Sequence, residues 1–212
     1  MVAFLLFRRG KGRDDLPPGS SPPGGGGGMS CNSGKAVDLP EGGSARFKAE
    51  DLLDAIGFLK SLGVPREIAS VVERVYRKEA GAKLDSRQYR VSGSPGMVAQ
   101  AAEYPWGWHG LARGLWKDFP GYRPILRATF NTREGCLSYL GFKSVRHAVA
   151  AFVARMFGYP VPRVEGDVFY QAAGWFRATG PGREEYANSL RRLTNPYTAR
   201  VYGGSDKEVY DG

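Results

Sequence analysis

The sequence predicts a mainly α domain, helical throughout except for one small β-hairpin lobe. Three observations point there. Apolar residues recur at three- and four-residue spacing through most of residues 46–200. One stretch alone sets β-branched and aromatic residues on both sides of a turn-forming cluster. The two ends of the chain have the wrong composition for a core. With 212 residues, 42% hydrophobic and 12% aromatic, the chain can fill one core, and we expect a single, monomeric globular unit.

Residues 1–45 contain "DDLPPGSSPPGGGGG" and "EGGS", a Pro, Gly and Ser composition that buries too little apolar surface to offset the entropy of ordering. We expect a disordered tail. Met29 follows the glycine run directly, and glycine codons can resemble a ribosome-binding sequence, which makes Met29 a candidate start. The early apolar run "VAFLLF" is too short for a signal sequence or a membrane span, so neither is expected.

From about Ala49, "EDLLDAIGFLKSL" sets Leu52, Ala55, Ile56, Leu59 and Leu62 on one helical stripe that Gly63 ends. Pro65 opens a second helix with Ile68, Val71, Val72, Val75 and Tyr76 inward. "SRQYRVSGSPG" reads as a loop, and "SPGMVAQAAE" as a third helix with Glu103 at its end. Between Pro124 and Phe142, "NTREG" divides a hairpin. Ser144 caps a helix carrying Val145, Ala148, Val149, Phe152, Val153, Met156 and Phe157 on its core face. Two more helices are expected at about 166–178 and 182–193, with a flexible tail at 201–212.

Charge narrows the partners. Lys and Arg number 30 against 21 acidic residues, and the resulting +9 favours nucleic acid, anionic lipid or an anionic cell wall. Cys31 and Cys136 are too few and too far apart for a disulfide framework or a zinc site, and read as free thiols. His109 and His147 read as capping or surface groups, so no metal and no cofactor is expected. "GGGGG" lacks the Lys-Ser or Lys-Thr of a phosphate loop, and Gly-x-Ser-x-Gly does not occur.

Chemistry concentrates in "AQAAEYPWGWHGLA", Ala99 to Ala112. A carboxylic acid protonates a glycosidic oxygen near neutral pH when an apolar pocket disfavours its ionised form, and "EYPWGW" would wall Glu103 in that way. The rings of Tyr104, Trp106, Trp108 and Trp116 suit either stacking on sugar faces or packing a seam between helices.

The order of these residues resembles the glycoside hydrolase family 73 N-acetylglucosaminidases of the lysozyme superfamily, which include bacterial autolysins, flagellar peptidoglycan hydrolases and Bax-type proteins. Ala99, Gln100 and Ala101 match the family's Ala-Gln-Ala. Glu103, Trp106, Gly107, Leu111 and Ala112 match its Glu-Ser-Gly-Trp-Gly and Leu-Ala, with Tyr104 and Pro105 in place of Ser-Gly. Phe119 and Gly121 echo a following Phe-Gly. The order continues through the hairpin, then Tyr139, Phe142 and Ser144 in "YLGFKS", then Gly174, Thr179, Tyr186 and Ala187. Gln100 and Glu103 are one residue closer than in the family, which on a helix turns the acid by about 100°.

The resemblance implies a lysozyme-like α+β domain over 46–200 that cuts the β-1,4 bond between N-acetylglucosamine and N-acetylmuramic acid in peptidoglycan strands. It implies Glu103 as proton donor and Glu134, in the hairpin, as the second carboxylate, with Asp118 as another candidate. Lytic transglycosylases of the same superfamily work with a single glutamate. Tyr104, Trp106, Trp108, Tyr139 and Tyr186 would line the sugar cleft. A wall enzyme with no expected leader suits a phage lysin held in the cytoplasm until release, or a virion component. The other class is a basic virion protein that keeps the fold without the chemistry, or binds nucleic acid.

Overall fold

The computed structural model describes residues 46–96, 108–132, 135–174 and 180–205, with the backbone alone at 108–111, 113, 126–132 and 135–139. The expected N-terminal tail with Met29 and Cys31, the third helix from Met97 onward, the Cys136 thiol and the chain from 206 lie outside this description.

The order of elements is α1 (Ala49–Ser61), α2 (Arg66–Ala80), α3 (Arg87–Ser92), α4 (Trp108–Asp118), a 3-10 turn at Pro120–Tyr122, β1 (Leu126–Thr132), β2 (Gly135–Gly141), α5 (Val145–Phe157), α6 (Val168–Ala173), α7 (Pro181–Arg191) and α8 (Pro196–Tyr202). The protein is mainly helical. The two strands pair antiparallel from Leu126 opposite Gly141 to Thr132 opposite Gly135.

Helix α2 is the axis of the molecule. Every residue from Ile68 to Tyr76 is buried, because α1, α5, α6, α7 and α8 all pack on it. The apolar positions read from the sequence are all inside, but so are Ser70, Glu73 and Arg74. A helix enclosed on all sides must satisfy such groups internally. The Glu73 carboxylate accepts from the backbone N–H groups of Tyr197 (3.1 Å) and Thr198 (2.7 Å), from the Thr198 hydroxyl (2.9 Å) and from Arg77 Nε (2.8 Å). It thus fills the open N-terminal donors of α8, where the helix dipole favours an anion. Asn195 donates to Ser70 Oγ at 2.8 Å and accepts from Arg74 at 3.4 Å.

The other elements pack around this axis. In α1, Leu52, Ala55, Ile56 and Leu59 are buried as expected, whereas Leu62 is 57% exposed because the helix stops at Ser61. Ser144 caps α5 by accepting from His147 N–H at 3.3 Å; its core face is buried except for half-buried Met156.

Three expectations change. The segment read as a loop after α2 contains α3: Ser86 accepts from Tyr89 N–H at 3.2 Å, and buried Tyr89 donates from its hydroxyl to Lys48 C=O at 2.8 Å. The helix expected over 166–178 begins at Val168 and stops at Ala173, capped at its start by Asp167. Beyond residue 193, where no further element is expected, the chain forms α8 against α1 and α2, reaching into the expected tail at Tyr202, whose hydroxyl donates to Val64 C=O at 3.0 Å.

Candidate functional site

Of the residues singled out for sugar chemistry, Glu103, Tyr104, Trp106 and Glu134 lie outside the described residues. Trp108 opens α4 and Tyr139 stands in β2 opposite Ala128, both placed by their backbone. Trp116 is 3% exposed within the core, so its ring packs between helices and is not a sugar platform. The Asp118 carboxylate, at the end of α4, accepts from the Tyr159 hydroxyl at 2.8 Å. Desolvation first, and then that bond and charge, push the Tyr159 hydroxyl up to about 12. Asp118 therefore serves a half-buried tyrosine packed against the core.

Of the residues expected to line the cleft, Tyr186 is the one whose side chain is described, and several local constraints fix it. Helix α7 anchors through buried Ala187 and Leu190. Arg183 reaches back to α6, donating from Nε to Tyr170 C=O at 2.8 Å and lying 4.1 Å from that ring's centroid. Gly174 leaves room for it, since a Cβ there would stand 2.9 Å from the Arg183 guanidinium and make it shift. At the far end of α7, Arg191 pairs with Asp167, and its carbonyl accepts from buried Arg74 of α2 at 3.3 Å. With both ends held, the middle of α7 lies along α2.

That placement sets the Tyr186 hydroxyl against the last turn of α2, where it donates to Glu79 Oε1 at 2.6 Å. The Lys78 ammonium lies 4.9 Å from the Tyr186 ring centroid. Glu79 and Tyr186 are both half-buried. Glu79 was missed in the sequence: in "RKEAGAK" it looks like an ordinary solvated carboxylate at a helix end. Only folding joins it to a tyrosine 107 residues away.

A second, aromatic group lies at the end of α4. The Tyr122 ring stacks on His147 at 4.2 Å and tilts against Phe119 at 5.4 Å and Phe58 at 6.3 Å. Desolvation, followed by the charges of Lys143 and Arg146, lowers the His147 pKa. Phe119, half exposed, forms the rim of this group. Among the described residues, no three His, Cys, Asp or Glu side chains gather as a metal site would require, and no helix is long and apolar enough to cross a membrane.

No family model, curated protein or solved structure matches the chain. The functional reading thus rests on the motif order and on the geometry of these residues.

Proposed function

We propose that this protein is a peptidoglycan glycosidase of lysozyme-like architecture, cutting the β-1,4 bond between N-acetylglucosamine and N-acetylmuramic acid by acid catalysis. The observation that carries the reading is the Tyr186 hydroxyl on Glu79. The tyrosine that the motif order sends to a sugar cleft meets a half-buried carboxylate on the helix that is buried from Ile68 to Tyr76. A carboxyl group fixed in position is one of the requirements for protonating a leaving sugar oxygen. The motif assigns the donor to Glu103, with Glu134 across the cleft as charge stabiliser or base. Tyr104, Trp106, Trp108 and Tyr139 would contact the glycan. The +9 charge suits an anionic wall.

The test is incubation of the full chain with purified peptidoglycan, with the boiled protein as control. New reducing ends released by the native protein alone support the reading. Folded protein that releases none, while shifting DNA in a salt-sensitive way, supports the basic binding protein instead.

A further inference from the structure

We infer that Glu79, rather than Glu103, is the proton donor of this reaction, with Tyr186 as the residue that positions it. The inference rests on the glycosidase reading above. Three features of the fold carry it.

The first is the mount. A general acid must be held within a fraction of an ångström of its working position, so it belongs on an element that cannot move. Helix α2 is buried from Ile68 to Tyr76 and emerges at its two ends, at half-buried Arg66 and Glu67 and in its last turn, where Arg77 and Glu79 are half-buried and Lys78 is exposed. Gly81, at φ +81, then turns the chain away from the helix. Glu79 is therefore held on the axis of the core with its carboxyl near the surface.

The second is the environment. The C-terminal end of a helix is the negative pole of its dipole, which favours the protonated carboxyl, the form a donor needs. The Tyr186 hydrogen bond acts the other way, favouring the carboxylate left after the proton has gone. The bond fixes where the carboxyl stands, and the Lys78 ammonium lies beside the phenol ring that makes it.

The third is the contrast with the other carboxylates described on buried or aromatic surroundings. Glu73, on the same helix, is fully buried and committed to Tyr197, Thr198 and Arg77. Asp118 is exposed and bonded to Tyr159, which the motif order does not place in the cleft. Glu79 alone meets the tyrosine that the motif order places in the cleft.

In the step itself the Glu79 carboxyl gives its proton to the glycosidic oxygen as the C1–O bond breaks. The bonding pair stays with the leaving sugar, which departs as an alcohol, and positive charge develops at C1 and the ring oxygen. Water then adds to C1 and yields a proton to the Glu79 carboxylate, restoring the acid.

The experiment compares Glu79→Gln and Glu103→Gln in the full chain on peptidoglycan and on a dinitrophenyl chitotrioside, whose leaving group needs no proton. Circular dichroism and melting check the fold. Glu79→Gln is expected to lose on the order of 10²–10⁴-fold on peptidoglycan, but less than about tenfold on the aryl substrate. Tyr186→Phe, a second variant, is expected to move the alkaline limb of the kcat/KM profile upward, because the ionised carboxyl loses a donor. If Glu103→Gln shows the selective loss and Glu79→Gln cleaves like the native chain, the inference is overturned and the glycosidase reading stands. Native protein that cleaves neither substrate overturns both.

Discussion

At the scale of single residues, the clearest commitments are polar groups inside the helical core. Glu73 holds α2 to the start of α8 with three hydrogen bonds and accepts a fourth from Arg77 of its own helix. Glu73→Ala leaves the α8 N–H groups and Arg77 without their acceptor and is expected to cost about 3–5 kcal/mol in urea unfolding; a cost below about 1 kcal/mol would contradict the network. His147 makes a different prediction. Its pKa lies below the ordinary 6.5 because burial and the neighbouring Lys143 and Arg146 disfavour the charged ring. The unfolded chain therefore takes up the proton first as pH falls. The stability this residue contributes is complete above the unfolded value and drains away as pH falls toward the folded one. Native protein is expected to lose more Tm between about pH 7.5 and 5.5 than His147→Phe, which keeps a ring against Tyr122. The chain has only two histidines, and His109 is common to both proteins, so equal losses would refute the assignment.

At the scale of elements, the caps can be ranked. Ser144→Ala removes one acceptor at the start of α5 and should cost about 1 kcal/mol. Asp167→Ala removes an acceptor for Phe169 and Tyr170 N–H and the partner of Arg191, and should cost more, about 1–2 kcal/mol. The reverse order in thermal melts would mean that Asp167 caps nothing in solution. These elements also show what was legible in the sequence. Helices α1, α2 and α5 are written in apolar spacing, since Leu52, Ile68 or Phe152 must face inward wherever the helix packs. Helix α8 is not legible: its N-terminal donors are satisfied by Glu73, 125 residues distant from Thr198. Helix α3 is short and ends at Gly93, so its Tyr89 and Val91 read as isolated apolar residues in a loop. The enclosure of α2 was hidden for a related reason, as Ser70, Glu73 and Arg74 imitate a solvated face and become internal only when α7 and α8 close over them. The motif order singles out Tyr186, whereas its bond to Glu79 is visible only in the fold.

At the scale of the whole molecule, a positively charged helical protein joins a buried axial helix, a hairpin lobe and a tyrosine-bound glutamate at the axis end. Attraction to an anionic wall should make productive binding salt-dependent, so cleavage of peptidoglycan is expected to slow as ionic strength rises while cleavage of a small neutral chitooligosaccharide changes little. Equal salt dependence for both substrates would remove charge from the account. The central claim, scission of the bond formed by C1 of N-acetylglucosamine, is tested most directly by the identity of the new chain ends. Peptidoglycan digested by the full chain is reduced with borohydride and its fragments are weighed by mass spectrometry. The account predicts fragments ending in reduced N-acetylglucosamine, and their absence from a digest made with folded protein would contradict it.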